Sequence, residues 1–228
     1  MRPEYAKEPR SYYTATGPVG QALLPLEKAW TPLRLGAVGL GSGTISAYGR
    51  AGDTIEFYEL NPAIKRMAYD RKLFTYVTDS KAAIHVTLGD ARLSLNSAPD
   101  GQYDVLILDA FSSDSIPVHL LTREAYALYA KKLKPDGVLL VHTSNRFLRL
   151  SEVVIATAAK EGYIGDLALD TGDGQAYFHA ATSWVALSKS AASLKVIEGG
   201  LWKRQTPNSL APVWTDDYSN VFKVLRFG

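Results

Sequence analysis

The sequence predicts an α/β domain on a doubly wound, mostly parallel sheet with an antiparallel C-terminal strand, and three observations predict it. Short β-prone runs alternate with segments of helical spacing from about residue 35 to residue 161. The first of these runs ends in a cluster of glycines, Gly39, Gly41 and Gly43. The run YDVLIL is apolar at nearly every position, as a parallel strand covered on both faces requires. At 228 residues and 46% hydrophobic content the chain can bury one sizeable core, so residues 1–228 are read as one domain with 1–33 as a lead-in segment.

Residues 35–40 (LGAVGL) read as a strand ending in a tight glycine turn, and 44–48 open a helix. Residues 54–60 (TIEFYEL) alternate as a strand does and stop at Asn61-Pro62. Residues 63–73 then have helical spacing, with Lys65, Arg66 and Lys72 outward. A third strand, 83–88 (AIHVTL), closes at Gly89-Asp90, and 91–95 form a short helical turn before a loop over 96–102. The fourth strand is 103–108. The helix over 122–133 carries Lys131 and Lys132 in its last turn, where cations suit the macrodipole, and Pro135-Asp136-Gly137 ends it. Residues 138–142 (VLLVH) are the fifth strand and 151–161 the next helix, with Ser151 as its N-cap. The rhythm then changes: 164–170 and 182–188, flanking Gly172-Asp173-Gly174, are two strands in succession, an antiparallel ending to the sheet.

Composition narrows the function classes. A formal net charge of +2 with 21% charged residues sets up no global field for nucleic acid or a membrane surface. With no cysteine, disulfides, thiolate metal sites and cysteine nucleophiles are excluded. Four dispersed histidines have no ligand-like spacing, so no metal is expected. The sequence has no apolar run of the ~20 residues a membrane helix needs, and 1–13 lack the apolar stretch of a signal peptide; a cytoplasmic domain is the expectation. Ser112 and Ser113 have no identifiable partner base, which leaves a hydrolase triad unsupported.

The candidate site lies where successive strands end. Glycines in VGLGSGT allow a tight turn and close approach of a ligand to the backbone. Glu59 ends the second strand, where an acid can accept both hydroxyls of a ribose. Asp90 ends the third strand and Asp109 the fourth, so three consecutive strands deliver carboxylates to one sheet edge, beyond which ligands of doubly wound sheets bind. His142 and Asn145 follow the fifth strand at that edge. Tyr12 and Tyr13 read as packed or exposed tyrosines, with a wall of the pocket as the alternative. Trp184, Trp202 and Trp214 read as packing, with a cation–π floor at Trp214 as the alternative, and His85 reads as structural.

The strings VGLGSGT, FYELNP, GDARLSL, YDVLILDAFSSDSIPVHLLTREAY and LKPDGVLLVHTSNR, together with PVWTDDYSNVF near the C-terminus, resemble the bacterial spermidine-synthase-like (polyamine aminopropyltransferase) family. The resemblance implies a Rossmann-like fold of the class I S-adenosylmethionine-dependent methyltransferase type. It implies that Gly39, Gly41, Ser42 and Gly43 lie under the methionine-derived tail of a nucleoside, that Glu59 binds the ribose, and that Asp90 and Ala91 meet the adenine. Asp109 resembles the family's catalytic acid; Asp114, His119, Asp216, Asp217 and Tyr218 are the substrate-side candidates. The co-substrate is then decarboxylated S-adenosylmethionine or S-adenosylmethionine, and the acceptor a small-molecule polyamine. The resemblance also allows a homodimer and a membrane-domain fusion in a longer parent protein.

Two departures bear on activity. Spermidine synthases carry an acid in the glycine loop that holds the amino group of the decarboxylated donor, and Ser42 stands there. They also carry an N-terminal hairpin segment, whereas 38 residues precede Gly39. The first expectation is therefore aminopropyl transfer to a di- or polyamine. A methyltransferase is the second and a catalytically silent nucleoside- or polyamine-binding module the third. A nicotinamide-dependent dehydrogenase is disfavoured by the loop spacing and by GDAR.

Overall fold

The computed structural model describes residues 7–110, 117–174 and 178–225. Eight strands form one sheet in the order β3-β2-β1-β4-β5-β7-β6-β8. Five are parallel: β1 (Arg34–Val38), β2 (Thr54–Glu59), β3 (Ala83–Leu88), β4 (Tyr103–Leu108) and β5 (Leu133–His142). The remaining three, β6 (Ile164–Asp170), β7 (Thr182–Ser188) and β8 (Trp202–Gln205), are joined by antiparallel pairings. Strand order reverses between β1 and β4, and the chain leaves these neighbours toward opposite halves of the sheet, which opens a crevice at their carboxyl ends.

Helices cover both faces. Along β4 every residue is buried, Val105 and Ile107 packing into one core and Leu106 and Leu108 into the other, as the two-residue period of a strand demands. The first core includes α1 (Pro18–Ala29) and α7 (Ala191–Ile197), which meet each other. Its partners on the sheet include Phe57, Trp184 and Trp202. The second includes α5 (Arg123–Lys132) and α6 (Leu150–Ala159) through Tyr126, Tyr129 and Val153, with Trp214 of the tail. All three tryptophans expected to pack are fully buried.

Several local expectations are corrected. The lead-in segment contains a 3₁₀ turn at Ser11–Tyr13 and the twelve-residue α1, although Gly20 and Pro25 lie inside that helix. Pro18 suits its first turn, and Val19, Ala22, Leu23 and Leu26 are all fully buried; packing outweighs the propensity loss. Residues Thr44–Tyr48 form a 3₁₀ helix, not the start of an α-helix, after Gly43 in the left-handed region. The expected helix 63–73 stops early as α2 (Pro62–Tyr69), a separate four-residue α3 (Tyr76–Asp79) follows beyond it, and α4 runs Ala91–Ser97. Pro135-Asp136-Gly137 lies within β5, which starts at Leu133 with a register shift. Arg149, not Ser151, occupies the N-cap of α6. β8 adds a third antiparallel strand beside the two expected.

Among the described residues, no helix is long and apolar enough to cross a membrane. No group of three or more His, Cys, Asp or Glu side chains there could hold a metal ion.

Candidate functional site

The crevice beyond β1, β2 and β4 is a cleft of about 520 Å³. Gly39, Gly41, Ser42, Glu59, Asp90, Ala91, Asp109 and His119 all line it, so residues from four strand ends share one cavity. Gly43 does not line it; it precedes the 3₁₀ helix and packs against Val77. A Cβ at Gly39 would come within 2.3 Å of the Asp109 carbonyl oxygen, so only glycine lets β1 and β4 leave the sheet side by side. At Gly41, φ is +53° and nothing lies within 4 Å of a built Cβ: the loop backbone is open to the cleft there. The Ser42 hydroxyl is 2.7 Å from that of Thr44.

Glu59 is buried, and its carboxylate must be hydrogen-bonded to sit there. Oε2 accepts the Leu40 N–H at 3.0 Å and Oε1 the Asn61 N–H at 2.8 Å, which ties the glycine loop to β2. Asp90 caps α4 by accepting the Leu93 N–H at 2.9 Å through Oδ1, while Oδ2 lies 3.4 Å from His119 Nε2.

Asp109 stands where β4 ends, its own N–H bonded to the Val38 carbonyl. Oδ1 is 2.7 Å from His142 Nδ1. Oδ2 accepts from the Tyr12 hydroxyl at 3.2 Å and, more closely, from that of Tyr13. Burial first, and the Asp109 charge second, push both tyrosines far above the ordinary phenol range, so they remain neutral donors. His142 Nε2 lies 2.8 Å from the Ser144 hydroxyl, and the ring clusters with Tyr12 and Trp184 at centroid distances of 4.8 and 4.7 Å. Tyr12 and Tyr13 are thus walls of the cleft and partners of its acid. No signal in the sequence places them on a residue 97 and 96 positions away.

The tail candidates lie elsewhere. Both Asp216 oxygens meet the Arg92 guanidinium, at 2.7 and 2.6 Å, and Oδ1 also accepts the Thr122 hydroxyl at 2.7 Å. The Arg92 bond holds the Asp216 carboxyl below the usual carboxylate range. Asp217 and Tyr218 are exposed, and none of the three lines the cleft. Trp214 is buried, its backbone N–H bonded to the Thr157 hydroxyl, so its ring does not floor an amine pocket. Asp114, Ser112 and Ser113 lie outside the described residues.

Among the described residues lining the cleft there are three carboxylates and no lysine or arginine. In a chain of net charge +2 this is a local reversal of sign, and it favours a cationic ligand.

A model of an S-adenosyl-L-methionine-dependent methyltransferase family matches residues 61–156, which include Asp90 and Asp109 but begin after the glycine loop and Glu59. The polyamine aminopropyltransferase of Vibrio vulnificus is 32% identical over 117 residues, 49% of this chain and 38% of that protein. The chain therefore spans well under half of this curated relative. Among solved structures, a probable spermidine synthase from Corynebacterium glutamicum superposes with a TM-score of 0.64 at 16% identity, over 88% of this chain and 79% of its own. Spermidine synthase from Thermotoga maritima gives 0.61 at 19% identity, over 87% and 67%. The chain has the class I methyltransferase fold, in a form similar to that of the spermidine synthases.

Proposed function

We propose that the cleft binds an S-adenosylmethionine-type sulfonium nucleoside and that the chain transfers the aminopropyl group of decarboxylated S-adenosylmethionine to a di- or polyamine. The observation that carries the proposal is that three carboxylates, Asp109 among them, and no lysine or arginine stand among the described residues lining the cleft, since both donor and acceptor are cations. Gly39, Gly41 and Ser42 lie under the methionine-derived tail, with Gly43 shaping the turn behind them. Glu59, already braced by two backbone N–H groups, keeps lone pairs for the ribose hydroxyls. Asp90 and Ala91 face the adenine.

Asp109 orients the acceptor amine, takes its proton and offsets the desolvation of the cation as nitrogen attacks the carbon next to sulfur. Because Tyr12 and Tyr13 already donate to Oδ2, the acceptor replaces one of them as donor. His119 at the cleft rim is on the acceptor side, with Asp114 assigned there by the family resemblance. Asp216 serves the acceptor only if it leaves Arg92, while Asp217 and Tyr218 remain exposed beside it. A homodimer and attachment to a membrane domain stand as further parts of this reading that oligomer and full-length measurements would test.

A second reading, methyl transfer from S-adenosylmethionine itself, is favoured by Ser42, a neutral residue where an acid would grip the decarboxylated donor. Calorimetric titration with both donors separates the two. Tighter binding of the decarboxylated donor supports aminopropyl transfer; tighter binding of the carboxylated one supports methyl transfer. Binding without product from any acceptor would point to a silent module.

A further inference from the structure

His142 does not line the cleft, yet its Nδ1 lies 2.7 Å from Asp109 Oδ1. A ring nitrogen and a carboxylate oxygen this close need a proton between them, because two lone pairs would repel; Nδ1 therefore donates. Its other nitrogen has a partner able to serve either charge state. Ser144 Oγ accepts the Ser183 N–H at 2.9 Å and lies 3.1 Å from the Thr182 hydroxyl. The serine hydroxyl can give its hydrogen to Nε2 of a neutral ring, or receive Nε2–H and turn its own hydrogen to Thr182. The ring is only 10% exposed and clustered with Tyr12 and Trp184, so its orientation is fixed by packing as well as by hydrogen bonds.

We propose that His142 is a positioning residue for amine alkylation: its Nδ1–H holds Asp109 Oδ1 and fixes the carboxylate in the rotamer in which Oδ2 meets the acceptor, once the acceptor takes the place of the Tyr12 or Tyr13 hydroxyl there. This rests on the transfer reading above. The protonated acceptor gives one proton to Oδ2; its freed lone pair forms the C–N bond as the C–S bond breaks with its electrons going to sulfur. The products are a neutral thioether and a secondary ammonium, and the proton on Asp109 returns to solvent. Throughout, Oδ1 keeps its Nδ1 donor, which a carboxyl needs in its acid form as much as in its anionic form to stay in one rotamer.

The test uses three variants of the chain, with donor binding followed by calorimetry and transfer followed by product mass. His142→Asn places an amide N–H close to where Nδ1 stands; His142→Leu keeps bulk and removes the donor; His142→Gln sends its amide toward Ser144. We expect His142→Leu and His142→Gln to lose about 10- to 100-fold in kcat, the factor a hydrogen bond to a charged group is worth. We expect KM for the acceptor and Kd for the donor to move by less than about threefold, and His142→Asn to restore most of kcat. Full kcat in both donor-less variants, or equal loss in all three, overturns the positioning role while transfer by the wild type leaves the transfer reading standing. No transfer by the wild type overturns that reading, and this inference with it. Should the leucine variant fail to bind donor, the glutamine and asparagine variants alone decide by the same comparison.

Discussion

The acids of the cleft and the acid of the C-terminal tail are held in opposite ways. Glu59, Asp90 and Asp109 are braced mainly by backbone N–H groups, tyrosine hydroxyls and histidine rings, and no lysine or arginine among the described lining residues offsets their charge. Asp216 is bound through both oxygens to Arg92 and spends its charge on fastening the tail across Thr122. The same residue type is available to a ligand in one place and committed to the fold in the other. Proximity to the site in sequence motifs does not distinguish the two; the partner does.

The most damaging change to the cleft side is Asp109→Asn, which keeps shape but removes the proton acceptor. Transfer should fall about 10²- to 10⁴-fold, the range of general acid–base catalysis, with donor affinity within about threefold in calorimetry. Retained transfer would break the assignment of Asp109. Glu59→Ala should weaken binding of the nucleoside by about 10- to 100-fold, from lost charge-assisted bonds to the ribose; methylthioadenosine titration measures it free of turnover.

A buried acid outside both regions sharpens the comparison through pH. Glu27, on α1, has its carboxyl pushed up to about 7, by burial first, against the opposing Arg50 charge and with that of Asp53. A raised folded value means that the folded chain is penalised once the group ionises. The penalty is absent near pH 4.5, grows as pH rises and is complete above about 7. Glu27→Gln should therefore stabilise the protein at pH 8 by about 1–3 kcal/mol, read as a higher Tm, and bring no gain at pH 4.5. The smallest effect is expected in the tail. Asp216→Asn should cost about 0.5–1 kcal/mol of stability, because the pair with Arg92 is partly exposed, and leave nucleoside affinity within about twofold. A large loss of acceptor binding there would erase the contrast between tail and cleft.

Much of the fold is legible in the sequence because its strands are bounded by strong punctuation. The runs 83–88, 103–108, 164–170 and 182–188 coincide with β3, β4, β6 and β7. Turn-forming glycines or aspartates lie close to the ends of the first three. Where stability comes from packing and not from local preference, the pattern fails. α1 is interrupted by Gly20 and Pro25 and held by the sheet beneath it, and the four-residue β8 depends on pairing with β6. The convergence of Gly39, Glu59, Asp90 and Asp109 follows from topology, since parallel strands end at one edge, and topology is readable. The cage around Asp109 is not, because Tyr12 and Tyr13 reach it from the lead-in and His142 from another strand, across 97, 96 and 33 residues. Nor does the sequence reveal that Arg92, 124 positions before Asp216, claims that acid.

The most direct test of the proposal that the acid-lined cleft takes two cations is calorimetric titration of the purified chain with S-adenosylmethionine, its decarboxylated form and methylthioadenosine, followed by mass spectrometry after adding putrescine or spermidine. Tighter binding of the decarboxylated donor, with an acceptor heavier by one aminopropyl unit, is the predicted result. Preference for the carboxylated donor, or binding with no product from either amine, would contradict it.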